Sequence, residues 1–454
     1  MRVSQMWRSP AGRGFIMLGL MSATFGFALN AHGGIVTNFF EEVLKLKGPE
    51  FGYVTAIREV GGFLLIFMTA VLYKVSLQRL TAGALILLAV GYILYGFATN
   101  FLTVIPWVVI TSFGMHTVLQ TQYSLGMSLT TESKSGAILG RMAAIGQGGT
   151  FAGLALMFLV FHFHLVSYRT TFIILGIVAL IGAFAIIRFP HMHEGHVRNL
   201  PPKRERIVWK RDYRYYYVLN ILDGARQQVF FSFGLWVLVN RFSMSVSQIS
   251  LLLLGVAFVS MVASSWVGRR IDKHGEKLTI SLINIAYVGA LVGFALVGNL
   301  WAASLFYLVY ALIAPISTIA ATTYVRKIAV PEDVAPTLAM GVTLLHATAI
   351  VVPVAAGYVL NFVGYQIPFY VACIFAVAAI GVTRGLNPAK QKSAARIAAD
   401  LAAASGTAPG PESSRLFAEG DAAQATALRM ATDGGAGEEI AGQAAIHSIR
   451  ERSE

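Results

Sequence analysis

The sequence contains a single cysteine, Cys373, among its 454 residues. One cysteine excludes a disulfide within the chain and any metal site built from several cysteines. Charged residues are scarce as well, at 13% of the chain, whereas soluble domains have about 25%. Hydrophobic residues make up 56% of the chain instead.

The hydrophobic residues are gathered into runs of about 20, long enough for a helix to cross a bilayer. A helix satisfies its own backbone hydrogen bonds, as the hydrocarbon interior of a bilayer requires. The sequence therefore predicts an all-α polytopic membrane protein with twelve transmembrane helices. The predicted spans are 15–36, 51–73, 80–98, 101–125, 137–160, 167–188, 214–239, 246–267, 278–298, 300–325, 337–361 and 367–385.

The positions of lysine and arginine predict the orientation. With the N-terminus in the cytoplasm, 29 of the 35 lie on the cytoplasmic side, and only Lys45, Lys47, Arg169 and Arg241 lie on the other. This asymmetry is the positive-inside pattern. We therefore expect a multi-pass protein of the plasma or inner cell membrane, with both termini cytoplasmic. The net charge of +13 is then a topology signal, and no basic-aromatic motif predicts nucleic acid as a partner.

The spans form two halves of similar length. A Tyr-x-x-x-Phe pattern opens the last span of each half, at Tyr168 and Tyr365, and a charged loop with Pro201 and Pro202 separates the halves. This indicates two pseudo-symmetric six-helix bundles with a substrate site between them. The predicted domains are an N-terminal cytoplasmic tail (1–14), an N-terminal bundle (15–188), a cytoplasmic linker (189–213), a C-terminal bundle (214–385) and a disordered, Ala/Gly/Ser-rich cytoplasmic tail (386–454).

The densest charge cluster, GRRIDKHGEK, lies between spans eight and nine. Its spacing of glycine, acid, base and glycine falls on Gly268, Asp272, Lys273 and Gly275. This pattern resembles the loop signature of the major facilitator superfamily, in which it implies a gate that stabilises one conformation. The equivalent first-half stretch, YKVSLQR, lacks the acid and the glycines. The resemblance covers about residues 15–385 and implies a monomeric transporter.

Polar residues inside a span are costly and mark functional sites. In span seven, Asp223 and Arg226 stand three residues apart, and Asn220, Asp223 and Gln227 share one helical face. We predict that Arg226 anchors the substrate, that Asn220 and Gln227 contact it, and that Asp223 carries a coupling proton. The alternative is a self-neutralising Asp223–Arg226 pair that only packs.

Span four has a second polar face, with Ser112, His116, Gln120 and Tyr123 spaced by one helical turn. His116, Gln120 and Tyr123 are predicted to face span seven across the substrate site. In span two, Glu59 is a second candidate proton carrier, beside Arg58. Asn30 and Tyr310 are further candidate substrate contacts, and other polar residues inside spans are His32, Tyr307, Thr318 and His346.

Other apparent motifs predict no cofactor and no metal. The stretch Gly146-Gln-Gly148-Gly149 lacks the third glycine of a dinucleotide-binding loop, because Phe151 stands at that position. The spacing of Gly149 and Gly153 instead indicates close helix packing. A histidine cluster in the central loop, His191, His193 and His196, has no rigid scaffold to hold a metal.

The sequence thus predicts a secondary active transporter that moves a small organic solute by alternating access, coupled to protons. Arg58 and Arg226 favour an anionic solute, because a guanidinium can bind a carboxylate through two hydrogen bonds. That inference fails for Arg226 if Asp223 neutralises it. The alternative function is a polytopic membrane enzyme or a non-transporting sensor on the same scaffold. No nucleophile–base cluster is evident, so we do not expect an enzyme.

Overall fold

The computed structural model describes residues 9–71, 75–129, 135–190, 208–392, 396–397 and 400–401. Within these residues the regular secondary structure is helical, which confirms the all-α prediction. The helices are α1 (Pro10–Asn38), α2 (Gly48–Val71), α3 (Leu77–Tyr95), α4 (Phe101–Ser128), α5 (Ser135–His162), α6 (Tyr168–Ile187), α7 (Arg214–Asn240), α8 (Val246–His274), α9 (Glu276–Leu296), α10 (Leu300–Ile328), α11 (Pro331–Phe362) and α12 (Gln366–Arg384). We refer to α1–α6 as the N-half and to α7–α12 as the C-half.

Polar caps explain why several helices begin before their apolar runs. Ser9, Asn100, Ser167 and Asn299 each accept a hydrogen bond from a backbone N–H in the first turn of the following helix. Helix α1 therefore starts at Pro10, five residues before the predicted span, and it continues as a π-helical turn over Phe39–Val43. The apolar run marks the part of a helix that lipid can cover, whereas the cap marks where the helix begins.

Length and composition identify membrane-crossing helices in the described residues. Eight of them, α1, α3, α4, α5, α6, α9, α11 and α12, contain a segment long and apolar enough to cross a bilayer. Helices α8 and α10 contain shorter apolar stretches, Val246–Val262 and Leu300–Ala314. Helices α2 and α7 carry the ionisable candidates Glu59 and Asp223 in their middle portions. The chain is therefore a multi-pass helical membrane protein.

In the N-half, α1 packs on α5 and α6, while α3 packs on α4 and α6. Glycines set the α1–α5 distance: a Cβ on Gly149 would lie 2.0 Å from the Ala23 carbonyl oxygen, and one on Gly153 would lie 2.6 Å from that of Phe27. Backbones can approach this closely only where no side chain intervenes. The close packing predicted from the spacing of Gly149 and Gly153 is confirmed.

In the C-half, α7 packs on α11 and α12, while α9 packs on α10 and α12. The end of the linker is tied to this half, because Lys210 Nζ and the Tyr213 hydroxyl both donate to Asp333 Oδ2 at the start of α11, over 2.5 and 2.8 Å. Past α12, Arg396 Nη1 donates to the Ala329 carbonyl oxygen over 3.3 Å. The tail predicted to be disordered lies outside the described residues beyond position 401. The 191–207 part of the linker also lies outside them.

The GRRIDKHGEK stretch is mostly helical rather than a loop. Helix α8 runs through Gly268, Asp272 and Lys273 to His274, and α9 begins at Glu276. Gly275 alone joins the two helices, with φ of 76°, a conformation that glycine adopts without steric cost. The tight turn expected at Gly275 is confirmed. The side chains of 263–274, including those of Asp272 and Lys273, lie outside the described part of the chain.

The two halves meet through α2 against α11 and α5 against α8. At the start of α2 the contact is backbone to backbone: a Cβ on Gly357 would lie 2.4 Å from the Gly48 carbonyl oxygen, and one on Gly52 would lie 2.4 Å from that of Pro353. We call this end of the molecule, which comprises the α1–α2, α7–α8 and α11–α12 connections, the closed end. Among the described residues, hydrogen bonds that join the two halves are found in the region between the middle of α2 and the closed end.

We predict that Gly357→Ala opens the closed end. The added methyl group would overlap the Gly48 carbonyl, so the helices must separate by about 1 Å to restore ordinary contact. Spin labels at Lys47→Cys and Ser243→Cys, in a Cys373→Ser background, should report a longer mean distance than in the parent. Gly83→Ala is the matched control, because a Cβ there meets nothing within 4 Å. An unchanged distance distribution in Gly357→Ala would contradict the prediction.

Candidate functional site

A cluster of ionisable side chains lies where α2, α4 and α11 meet, midway along the α2–α11 contact. Glu59 Oε1 accepts hydrogen bonds from Arg58 Nε and Nη2, over 3.3 and 3.1 Å. Glu59 Oε2 lies 3.2 Å from His346 Nδ1 of the C-half. The His116 ring packs edge-on against the His346 ring, with centroids 5.3 Å apart. We call Arg58, Glu59, His116 and His346 the Glu59 cluster.

Two glycines of α2 allow the cluster to form. A Cβ on Gly62 would lie 2.7 Å from His346 Cε1 and 2.8 Å from His116 Cε1, so any other residue would displace both rings. A Cβ on Gly61 would collide with Ser112 of α4, whose hydroxyl donates to the Arg58 carbonyl oxygen. The absence of side chains at 61 and 62 thus brings both histidines to the same part of α2 as Glu59.

The Glu59 carboxyl group is almost entirely shielded from solvent, since Glu59 is 7% exposed. A buried carboxylate is tolerated only with charged or hydrogen-bonding partners, and here the partners come from both halves. An ionised Glu59 requires the proton of His346 on Nδ1, because the carboxylate can only accept. His116 Nε2 is buried without a hydrogen-bond partner among the described residues. The cluster can therefore hold or exchange a proton, and the Glu59–His346 contact must break whenever α2 and α11 separate.

The predicted site of span seven has a different location. Arg226 is fully buried inside the C-half, where its Nη2 pairs with Asp223 Oδ1 at 2.9 Å and its Nη1 donates to Asn284 Oδ1 over 3.0 Å. Its guanidinium carbon lies 3.3 Å from the centre of the Tyr287 ring, and Ser317 Oγ donates to Asp223 Oδ2. We call Asp223, Arg226, Asn284, Tyr287 and Ser317 the Arg226 cluster.

The Arg226 cluster corrects the predicted geometry of the central site. Arg226 was expected to face His116 and Gln120 of span four, but its contacts among the described residues are with α7, α9 and α10. The long side chain reaches inward along α7, where two tyrosine rings and an amide can surround a cation. The self-neutralising pair, left open by the sequence, is what the structure shows.

The remaining candidates are distributed over both halves. Asn30 Nδ2 donates to the Gly26 carbonyl and to Thr150 Oγ1 of α5, over 3.0 and 2.8 Å. Tyr310 is fully buried and stacks on Phe230 at 3.7 Å between ring centroids. Asn220 Nδ2 donates to the Tyr216 carbonyl of its own helix. Gln227 is half-buried, and Gln120 and Tyr123 are exposed.

His346 is the functional candidate that sequence reasoning undervalued. It stands in an apolar stretch of α11 with no charged neighbour within the helix, so only its place opposite Glu59, 287 residues earlier in the chain, makes it part of a site. The sequence offers only an indirect indication of this pairing: a histidine lies in the middle of a helix of one half, and a carboxylate lies in the middle of a helix of the other half. Pairing them required knowing that α2 packs on α11.

Comparisons with known proteins agree with this architecture. A family model described as Major Facilitator Superfamily matches residues 216–428, and a search of curated proteins found no match. Among solved structures, a single-residue mutant of the nucleoside transporter NupG has a TM-score of 0.70 at 14% identity, covering 82% of this chain and 99% of that one. A bacterial homologue of the human lysosomal transporter Spinster, inward-facing and occupied, has a TM-score of 0.64 at 13% identity, covering 82% and 95%.

Proposed function

We propose that the chain belongs to the major facilitator superfamily, whose family model matches residues 216–428, and that it is a secondary active transporter that moves a small organic solute by alternating access, driven by protons. The observation that carries the proton coupling is the Glu59–His346 contact between the halves, 3.2 Å long. A membrane enzyme or a sensor would not need an ionisable bond at the surface where the halves must separate.

In this proposal the chain forms two six-helix bundles, 15–188 and 214–385, in which all twelve helices span the membrane. Glycine contacts along α2 and α11 support such a division, because they form an interface that can part without disturbing either core. With the N-terminus in the cytoplasm, the closed end faces away from the cytoplasm. Gly268, Asp272, Lys273 and Gly275 act as a gate at the opposite end, and the protein works as a monomer.

The coupling step follows from the charges. While Glu59 is ionised, Arg58 and His346 both stabilise it, and the bond to His346 holds α2 against α11. A proton on Glu59 removes the negative charge and weakens that bond, so the closed end can open. The residues exposed along α4, Gln120 and Tyr123, and the half-buried Gln227 of α7, contact the solute between the halves. Asp223 remains held by Arg226 and Ser317, which makes Glu59 the better of the two predicted proton carriers.

The test is uptake by purified protein in proteoliposomes. The external medium holds a defined equimolar mixture of sugars, nucleosides, amines, amino acids and monocarboxylates, and mass spectrometry identifies what accumulates. We expect at least one solute to accumulate when the compartment it enters is the more alkaline, and this accumulation should vanish when a proton ionophore collapses the gradient. If no solute of any class enters faster than into protein-free liposomes, the protein is not a transporter and the enzyme or sensor alternative stands.

A further inference from the structure

Arg58, which binds the Glu59 carboxylate from the same helix, has room for a second ligand. The Arg58 side chain is 46% exposed, whereas that of Glu59 is 10% exposed. Arg58 donates from Nε and Nη2 to a single oxygen of Glu59, and among the described residues Nη1 has no hydrogen-bond partner. A guanidinium has five N–H donors in a planar fork. Part of this fork is therefore accessible.

Arg58 lies beside the contact between the halves, because Glu59, to which it donates, also lies 3.2 Å from His346 of α11. A solute that enters between the halves would meet the accessible part of the Arg58 fork, while the Glu59 carboxylate is already bound by Arg58 and His346.

The Glu59 cluster has one permanent positive charge and one carboxylate. Inside a membrane protein, an uncompensated charge is costly, so the sum of charges in the cluster must stay close to zero. If a solute carboxylate takes the place of Glu59 beside Arg58, the cluster gains one negative charge. A proton on Glu59 cancels that charge. The titratable neighbours that could share the proton are His346 of α11, which contacts Glu59, and His116 of α4, whose ring packs against that of His346.

From this arrangement we propose that the transported solute carries a carboxylate, which binds Arg58 as Glu59 takes up a proton, so that one proton and one carboxylate cross together without net charge. The inference rests on the proposed transport function. A guanidinium binds a carboxylate through two parallel hydrogen bonds, which a neutral solute cannot match. A cationic solute would meet Arg58 first and be repelled. A phosphate, with nearly two negative charges, would exceed the single charge that Arg58 offers.

The solute mixture described above decides the class. We expect the accumulated compounds to be monocarboxylates, and the amide of an accumulated acid to be excluded. Uptake should be unaffected by a membrane potential set with valinomycin and potassium, because no net charge moves. Accumulation of sugars, nucleosides or amines instead would overturn the inference while leaving the transport function standing. Absence of any uptake would remove both.

Arg58 variants test the residue. We expect Arg58→Lys, which keeps the charge but loses the planar fork, to raise KM for the carboxylate by about tenfold with little change in kcat. Arg58→Gln should abolish carboxylate uptake. Arg79→Gln, at an exposed position of α3, is the matched control and should behave as wild type. Unchanged KM in Arg58→Lys together with uptake by Arg58→Gln would place the solute elsewhere. Thermal unfolding curves that match wild type would show that the variants are folded.

Discussion

Glu59→Gln is expected to abolish accumulation driven by a pH gradient while preserving exchange of solute across the membrane. Glutamine keeps the size of the side chain but can neither release a proton nor accept a charge-assisted bond from His346. The variant therefore resembles a permanently protonated Glu59. Exchange requires only that the loaded protein alternate between its two conformations, so it should continue. Net uptake driven by the gradient requires Glu59 to take up a proton on one side and release it on the other in every cycle, so it should stop.

The size of this effect follows from the proton gradient. One pH unit corresponds to about 1.4 kcal/mol per proton, enough for about tenfold accumulation when one proton accompanies each solute. Glu59→Gln liposomes that are loaded beforehand with solute at the external concentration should keep a ratio of internal to external solute of about one. Glu332→Gln, the same change at an exposed position of α11, is the control. A variant that still accumulates solute against its gradient would show that the proton is carried elsewhere.

His346→Gln supplies an independent check of the same contact. Glutamine can still donate a hydrogen bond to Glu59 but cannot carry the positive charge of a protonated imidazole. Transport should persist with a changed dependence on pH, because Glu59 loses a partner that can share its proton; initial uptake rates between about pH 5 and 8 measure the change. A pH profile identical to that of wild type would show that His346 only packs and takes no part in proton coupling.

The second large effect concerns Arg226. We expect Arg226→Met to destabilise the C-half, because it leaves the Asp223 carboxylate buried without its cation. Removing one partner of a buried ion pair costs about 3–5 kcal/mol, which corresponds to a fall of the order of 10 °C in melting temperature. Thermal unfolding in detergent, followed by size-exclusion chromatography, measures this. Arg384→Met, at an exposed position in the last turn of α12, is the control.

The double variant Asp223→Asn/Arg226→Met separates structure from transport. Removing both charges relieves the unpaired carboxylate, so the melting temperature should recover most of its loss. If Arg226 only holds the C-half together, the double variant should also recover uptake. A stable double variant without uptake would return Arg226 to the role of substrate anchor, as the sequence first suggested.

The sequence alone determined the helical membrane fold and the place of the polar residues along each helix. Runs of apolar residues must be covered by lipid or by one another, and backbone hydrogen bonds inside a bilayer must be internal. These requirements act locally, so they can be read from composition and spacing. The same is true of Gly149 and Gly153, whose spacing predicted the close α1–α5 contact, and of Gly275, whose turn needs a positive φ.

The tertiary structure decided which polar residues meet. Glu59 and His346 are 287 residues apart, and no local pattern connects them; they meet because Gly48, Gly52 and Gly357 let α2 and α11 touch. Arg226 likewise looked like a residue of the central site, yet its side chain turns into the C-half towards Tyr287 and Asn284. Helices of this chain are apolar on most sides, so the sequence fixes how deep a polar side chain lies but not which neighbour it faces. That direction is set only when the helices pack.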